Sequence, residues 1–245
     1  MAEKKWYEEW FNSPYYHLLY ANRSEDEARN FVTRLVEKLD LQPKFKVLDV
    51  ACGKGRHSKN LAALGLDVTG IDLSTNSIEA AKQCEHEYLH FAVWDMRCPF
   101  KEAYFDVVFN IFSSFGYFDD PADDQRVVHA FATDLKAGGL LVFDYLNGEW
   151  AVKQMKSREI INRGEMQFHI QKRVENGFIK KKIEFLANGE DYSYEEQLKL
   201  ISRARIKEML AEAGLEVLHT YGDYELHDFE PGSSPRIIVI AKKSA

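Results

Sequence analysis

The stretch VLDVACGKGRHS, from Val47 to Ser58, decides the fold of this chain. It joins a short apolar run to a loop with two glycines, Gly53 and Gly55, and helix-forming residues follow. A second run, VTGIDLS, passes through the acidic residue Asp72. Strand, glycine loop, helix, strand and acid form the general plan of a nucleoside-binding α/β unit, because glycines let the backbone approach a ligand and helix N-termini offer free N–H groups.

The same loop separates two kinds of nucleoside site. A dinucleotide site usually passes from its strand directly into G-x-G-x-x-G. In this chain Asp49 stands four residues before Gly53, and Ser58 takes the position of the third glycine. The pattern therefore disfavours a nicotinamide-dependent oxidoreductase, which remains the alternative from another class of enzyme.

The pattern D-x-x-C-G-x-G with the downstream G-I-D-L-S resembles the class I S-adenosylmethionine-dependent methyltransferases. The resemblance covers about residues 24 to 147, because three later stretches extend it: AVWDMRCPF (92–100), YFDVVFNIFSSFGYF (104–118) and DLKAGGLLVFDYLN (134–147). It implies an α/β fold with a Rossmann-like, seven-stranded, mostly parallel sheet and helices on both faces. It also implies S-adenosyl-L-methionine as the methyl donor.

The resemblance also implies a set of cofactor-binding residues. Asp49 would hold the methionine amino group, Asp72 would accept both ribose hydroxyls, and Leu73 would pack on the adenine. Asp95 and Met96 would flank the adenine. The full expected set is Asp49, Ala51, Gly53, Gly55, Asp72, Leu73, Asp95, Met96 and Asn110.

Asn110 departs from two patterns within the family. It replaces the acid that catechol-type methyltransferases use at this strand end to help bind magnesium, and no N-P-P-Y motif follows it. Asp144 and Asn147 alone would form a poor site, because magnesium prefers carboxylate and water oxygens. We therefore expect in-line methyl transfer without a metal. A simple polar strand terminus is the alternative interpretation of Asn110.

The sequence assigns no catalytic residue, and it offers only weak candidates for a base. The candidates are Tyr16, His17, Tyr20 and His57. The first three lie with Arg23 in a segment that folds over the cofactor in similar enzymes, and His57 lies in the first turn of the helix after the glycine loop. A base is required only if the acceptor arrives protonated. Alternatively, the segment is a hydrophobic arm that only packs, and His57 is a polar residue lining the site.

Hydrophobic patterning predicts alternating strands and helices up to residue 147. The predicted strands are 45–50, 66–72, 88–94, 104–111 and 139–145, and the predicted helices are 24–39, 55–64, 75–85 and 121–136. Further along, a helix at 202–213 and strands at 215–221 and 236–241 would complete the sheet.

The chain is expected to have three parts. Residues 1–40 contain an aromatic arm (residues 1–23) and a helix, and residues 41–149 with 201–245 form the cofactor-binding core. Residues 150–200 alternate polar and apolar side chains with Asn-Gly pairs at the breaks, which predicts an inserted antiparallel meander.

We expect the arm and the meander to contact the acceptor, because aromatic rings stack on planar or cationic groups and exclude water. The side chains expected to do so are Tyr15, Tyr16, His17 and Tyr20 in the arm, and Met166, Phe168, Ile170, Ile183 and Phe185 in the meander. The meander is interpreted as an acceptor lid, or alternatively as a homodimer interface, since an amphipathic sheet needs a partner for its apolar face.

Composition limits the acceptor and the location. With 32 basic and 39 acidic residues the net charge is −7, and no long basic cluster favours nucleic acid. No apolar run is long enough to span a membrane, and three cysteines without a C-x-x-C pair are typical of a reduced cytoplasm. We therefore expect a cytoplasmic methyltransferase acting on a small-molecule N or O acceptor. Methylation of RNA or protein, or a non-enzymatic S-adenosylmethionine-binding role, remains the alternative.

Overall fold

A seven-stranded sheet forms the centre of the fold in the computed structural model, which describes residues 5–21 and 24–244. Its strands in chain order are β1 (Lys46–Val50), β2 (Asp67–Asp72), β3 (Leu89–Val93), β4 (Phe105–Asn110), β5 (Leu135–Leu146), β10 (Leu215–Tyr221) and β11 (Arg236–Lys243). The spatial order is β10-β11-β5-β4-β1-β2-β3. β11 runs opposite to the other six strands of this sheet, which all point the same way, so the expected mostly parallel α/β sheet is confirmed.

Helices cover both faces of this sheet, as expected. The helices are α1 (Trp6–Trp10), α2 (Pro14–Leu19), α3 (Glu25–Lys38), α4 (Arg56–Ala63), α5 (Thr75–Lys82), α6 (Pro121–Asp134), α7 (Gly148–Gln154) and α8 (Arg203–Glu212). Val47 belongs to the apolar cluster that contains α3, α4 and α5, whereas Leu48 belongs to the cluster that contains α6 and α8. Adjacent strand residues point to opposite faces, so each β-strand contributes to both clusters.

Strand β5 begins four residues before the predicted start at residue 139. The sequence pattern instead predicts that residues 135 and 136 end the preceding helix and that the strand starts at Gly139. In the structure Leu135 already pairs with Phe105, and a register shift follows before Val107 pairs with Leu140. Gly138 lies in this irregular stretch with a φ of 74°, a backbone conformation that glycine adopts without strain.

The predicted antiparallel meander is a separate four-stranded sheet. Its strands are β6 (Arg158–Arg163), β7 (Met166–Glu175), β8 (Phe178–Ala187) and β9 (Glu190–Lys199). The Asn176-Gly177 pair turns β7 into β8 with positive φ at both residues, as tight hairpin turns require.

The arm covers the apolar face of the meander. It forms two short helices because Ser13 accepts a hydrogen bond from the backbone N–H of Tyr15 and starts α2. Trp10 and Leu19 are fully buried against the meander, together with the side chains of Phe168, Ile170, Ile183 and Phe185. The expectation of a dimer interface rested on an apolar face without a partner, and the arm supplies that partner within the chain.

Part of the arm is outside the described residues, including Arg23, which had been singled out from the sequence. None of the helices in residues 5–21 and 24–244 combines the length and the apolar character needed to cross a membrane.

Candidate active site

A cavity of about 450 Å³ lies where β1, β2, β3 and β4 end at their carboxyl termini. The residues that follow these strands line it on one side, and the arm lines it on the other. Ligands of open α/β sheets bind at this edge, because the loops diverge there and leave a crevice.

Asp72, at the end of β2, is held in place by two backbone amides. Gly53 N donates to Asp72 Oδ2 at 2.8 Å, and Ser74 N donates to Asp72 Oδ1 at 2.8 Å. Burial raises the pKa of Asp72, while the N–H groups of Ser74 and Gly53 oppose that rise. Each carboxylate oxygen has a second lone pair, so the side chain can still accept two hydroxyl groups from a ligand.

Asp49, near the end of β1, is 1 % exposed and accepts a hydrogen bond of 2.5 Å from Ser58 Oγ. Burial raises the pKa of Asp49 to about 7, with the Ser58 hydrogen bond opposing the shift and the charge of Asp72 adding to it. Ser58 therefore has a role that the sequence did not reveal: it supports the carboxyl group that distinguishes this loop from a dinucleotide loop.

Gly55, the second glycine of the loop, does not line the cavity. It caps α4 with a φ of 75°, and a Cβ placed there would lie 2.5 Å from the ring of Phe91. Gly53 has a φ of 57° and nothing within 4 Å of the same position. The two glycines are therefore required for different reasons, one for packing and conformation and the other for conformation alone.

We expect Gly55→Ala to destabilise the chain more than Gly53→Ala. Both substitutions place a side chain at positive φ, which costs about 1–2 kcal/mol. Gly55→Ala also overpacks the site against Phe91, which adds about 1–3 kcal/mol. Urea unfolding of the two variants measures the difference, and equal losses would contradict the assigned contact with Phe91.

Asp95 and Met96 both line the cavity after β3, as does Leu73 after β2. Arg97 binds both oxygens of Asp95, from Nε at 3.1 Å and from its terminal nitrogen at 2.6 Å, and it also reaches Asp123 at 3.3 Å. Burial alone would raise the pKa of Asp95, but the hydrogen bonds and charge of Arg97 outweigh it and lower the pKa. The sequence analysis did not identify Arg97, although a basic residue two positions after Asp95 was a possible signal of an ion pair.

The aromatic arm contributes Tyr16, His17 and Tyr20 to the cavity lining. Burial, with the nearby charge of Lys54, lowers the pKa of His17 to about 4, so its imidazole is neutral at pH 7. His17 Nε2 is buried, and within the described residues it has no hydrogen-bond partner. His57 also lines the cavity, with its ring centroid 4.9 Å from that of Phe112.

Asn110 does not line the cavity, contrary to its place in the expected cofactor-binding set. It is fully buried, and its amide nitrogen donates to the backbone oxygens of Val50 at 3.3 Å and Ser114 at 3.1 Å. The side chain therefore connects the end of β1 to the segment after β4. This placement agrees better with the alternative interpretation of a polar strand terminus.

The segment after β4 is held by a buried ion pair. Arg236 binds Asp144 Oδ1 at 2.6 Å and also donates to Ser113 Oγ at 2.9 Å. Phe112 N donates to Asp144 Oδ2 at 2.7 Å, and Phe112 and Ser113 have φ values of 64° and 60°. Two successive non-glycine residues at positive φ are strained, so the contacts from Asp144 and Arg236 compensate for this strain.

The residues considered for a metal are engaged elsewhere. Asp144 pairs with Arg236, and Asn147 donates its amide to the backbone oxygens of Pro231 and Ser234. Within the part of the chain that the structure describes, no three His, Cys, Asp or Glu side chains are grouped so that they could hold a metal ion.

The meander was expected to contact the acceptor, but none of its described residues lines the cavity. Its apolar side chains pack against the arm instead. The aromatic lining comes from the arm and from the segments after β3 and β4: Tyr7, Phe11, Tyr16, Tyr20, Trp94, Phe112, Tyr117 and Phe118. The meander therefore supports the arm from behind and does not form the cavity wall.

Ala51, the remaining residue of the expected set, lines the cavity with a φ of 59°. The structure thus brings together most of the expected cofactor-binding residues, namely Asp49, Ala51, Gly53, Asp72, Leu73, Asp95 and Met96. Gly55 and Asn110 lie behind them.

Comparison with known proteins agrees with this arrangement. Residues 47–139 match the model of a methyltransferase domain. A Geobacillus protein named as a methyltransferase is 25 % identical over 97 % of this chain and 97 % of its own length. A ubiquinone biosynthesis O-methyltransferase from Photorhabdus laumondii is 33 % identical, but that match covers only 42 % of this chain and 43 % of the relative.

Solved structures share the fold over nearly the whole chain. An S-adenosylmethionine-dependent methyltransferase from Clostridium acetobutylicum has a TM-score of 0.79 at 20 % identity and covers 94 % of this chain and 96 % of its own. A sugar N-methyltransferase from a Streptoalloteichus species has a TM-score of 0.74 at 23 % identity, with coverage of 94 % and 93 %. Together with the family match, these findings show a methyltransferase domain in residues 47–139 and, over nearly the whole chain, the fold of S-adenosylmethionine-dependent methyltransferases.

Proposed function

We propose that this methyltransferase acts on a small-molecule N or O acceptor and needs no metal ion. The observation that carries the proposal is that the arm covers a cavity of about 450 Å³. That volume falls within the range of about 300–1,000 Å³ typical of small-molecule sites. An RNA acceptor would have to insert a single base into this covered space, and the net charge of −7 does not favour RNA binding.

The names of similar proteins include both nitrogen and oxygen as the methylated atom. One is named as a sugar N-methyltransferase and another as a ubiquinone biosynthesis O-methyltransferase. These names concern those proteins, and they support the small-molecule class without selecting between nitrogen and oxygen.

We assign the donor to the residues at the strand ends. Asp72 would accept the ribose hydroxyls with the lone pairs its amide partners leave available, and Asp49 would hold the methionine ammonium group. Leu73, Asp95 and Met96 would surround the adenine. The donor supplies an activated methyl group on a sulfonium, so the chain needs mainly to align the acceptor and to exclude water.

The acceptor would then lie between the arm and the segment after β4. Tyr16, His17 and Tyr20 form one side of this space, and Tyr117 and Phe118 form the other. A neutral His17 is a poor base near pH 7 but can hydrogen-bond an acceptor. We therefore propose positioning, and not proton abstraction, as the role of His17.

A screen for turnover tests the acceptor class. The protein would be incubated with S-adenosylmethionine and a panel of amines, hydroxylated small molecules, RNA and unfolded protein, with S-adenosylhomocysteine release as readout. Asp72→Ala is the control, because loss of hydrogen bonds to a charged group should weaken donor binding by about 1.5–3 kcal/mol. Turnover of RNA or protein alone would overturn the proposal.

Donor binding should depend on pH through Asp49. Burial raises the pKa of Asp49 to about 7, so the protonated carboxyl group adds to the free energy of unfolding at low pH. This contribution is lost as the pH rises through 7. An ammonium partner favours the carboxylate form, so S-adenosylhomocysteine affinity should rise with pH by up to about tenfold per unit below pH 7. Calorimetry between pH 5.5 and 8 measures this, and Asp49→Asn should give weaker binding with a flatter profile. An equally steep profile in that variant would rule out Asp49.

Activity should survive removal of divalent metal ions. Asp144 is paired with Arg236 and Asn147 is bonded to backbone oxygens, so neither is available as a ligand in this arrangement. Once an acceptor is known, turnover after chelation and desalting should equal turnover in added magnesium. Loss on chelation with recovery on addition of magnesium would contradict the proposal.

We also propose a reduced, cytoplasmic location. The three cysteines are unpaired: Cys52 is buried, whereas Cys84 and Cys98 are exposed. Exposed thiols persist most readily in a reducing compartment. Fractionation of the source cells with an antibody to the chain tests this location.

A further inference from the structure

A carboxylate of the meander binds both helices of the arm. Glu196, in β9, accepts a hydrogen bond from Trp10 Nε1 at 2.6 Å and one from the Tyr20 hydroxyl, which lies 2.8 and 2.7 Å from its two oxygens. Trp10 ends α1 and Tyr20 caps the C-terminus of α2. A single side chain therefore fixes the arm at two points.

Lys181, in the neighbouring strand β8, completes this group. Its Nζ lies 3.4 Å from Glu196 and donates to the Tyr20 hydroxyl at 2.6 Å. The side chains of Lys181 and Glu196 are only 13 % and 17 % exposed. Burial lowers the pKa of Lys181, and the charge of Glu196 opposes that shift. Hydrogen bonds in which one partner is charged are strong in such a place and sensitive to geometry.

Only one member of the group reaches the cavity. Tyr20 lines it, whereas Glu196 and Lys181 lie behind the arm and do not. The surrounding apolar contacts bring the arm onto the meander, but apolar burial is non-directional and does not by itself fix the orientation of a ring. The hydrogen bonds of Glu196 supply that orientation.

We propose that Glu196 is a positioning residue for methyl transfer: it holds the arm, and through Tyr20 the aromatic lining, closed over the cavity. The meander would thus take part in the reaction without touching either substrate. This inference rests on the proposed function in one respect, since it assumes that the arm covers the bound substrates.

The test compares two identical substitutions on adjacent residues of β9. Glu196→Gln removes the charge at the arm, whereas Glu195→Gln does so at a residue that pairs with Arg173 and is 40 % exposed. We expect Glu196→Gln to speed hydrogen exchange in residues 5–21, and dissociation of S-adenosylhomocysteine, by at least about tenfold, because hydrogen bonds to a charged group are lost. Glu195→Gln should match the wild type in both measurements.

Two further variants separate positioning from folding. Tyr20→Phe removes one hydroxyl and leaves the Glu196–Lys181 pair intact, so it should loosen the arm without lowering the thermal midpoint of the core. Glu196→Gln leaves the ammonium group of Lys181 without its carboxylate partner. Adding Lys181→Met removes that charge, so the double variant should regain stability while the arm stays loose. When an acceptor is known, kcat should fall more than acceptor KM rises in Glu196→Gln.

Unchanged arm exchange and ligand dissociation in both Glu196→Gln and Tyr20→Phe would overturn the inference. Full recovery of arm protection in the double variant would also overturn it, since stability alone would then explain the effect. Failure of the acceptor proposal has a different signature. It would leave the exchange result in place while the wild-type protein showed no turnover of small molecules.

Discussion

Replacing Asp144 with alanine should lower the free energy of unfolding by about 3–5 kcal/mol, the cost of leaving a buried charge without its partner. The Asp144 side chain is fully buried and that of Arg236 is 13 % exposed. The substitution also leaves Phe112 N without its acceptor. Chemical denaturation of the variant measures the loss.

Two variants control this prediction. Glu208→Ala breaks an ion pair with Arg205 on the surface of α8, where the two side chains are 63 % and 44 % exposed, and should change stability by no more than about 0.5 kcal/mol. Asp144→Leu with Arg236→Met removes both charges and should recover part of the loss. A loss below about 1 kcal/mol in Asp144→Ala, within the range of surface pairs, would show that the pair is not buried as described.

Asp144→Ala should also weaken ligand binding at the cavity. Phe112 lines the cavity, and its positive φ is maintained by the contact with Asp144. Strained conformations persist only where the surroundings determine them, so the segment after β4 should relax once Asp144 is gone. Ligand affinity should therefore fall even under conditions where the variant remains folded.

The sequence predicted the sheet and most of the residues at the strand ends that line the cavity, because both depend on local patterns. Gly53 and Asp72 are nineteen residues apart, and the strand order brings them within hydrogen-bond distance. The α/β alternation determines that order, since parallel strands joined by helices end at one edge. Local patterns therefore suffice to bring Asp49 and its neighbours to one edge of the sheet, where they line the cavity.

The contacts that hold the site closed were not predictable in this way. Asp144 meets Arg236 across 92 residues, and Tyr20 meets Glu196 across 176 residues. Nothing in either local sequence indicates its distant partner. The alternating pattern of the meander likewise predicted an apolar face, but not that Trp10 and Leu19 would cover it.

Removal of the arm should have the second large effect. We expect deletion of residues 1–22 to reduce turnover by on the order of 100-fold, because misplaced substrate groups alone can cost that much. The deletion takes away Tyr16, His17 and Tyr20 from the cavity lining and admits water to the reacting groups. S-adenosylhomocysteine should also dissociate faster, since the arm contacts the segment after β2 through the 2.7 Å hydrogen bond between Ser74 Oγ and Asn12 Oδ1.

The deletion also exposes the apolar face of the meander, so its effect on folding must be measured separately. Phe168, Ile170 and Ile183 would lose their cover and promote association of the truncated chain. The core sheet has its own apolar clusters on both faces, so circular dichroism and thermal melting should still show a folded core. A folded, monomeric truncated protein that retained full turnover on its own acceptor would show that the arm is not the lid. Lost turnover with an intact core would place the arm in the reaction, because Asp49 and Asp72, the carboxylates proposed to bind the donor, belong to the part that remains.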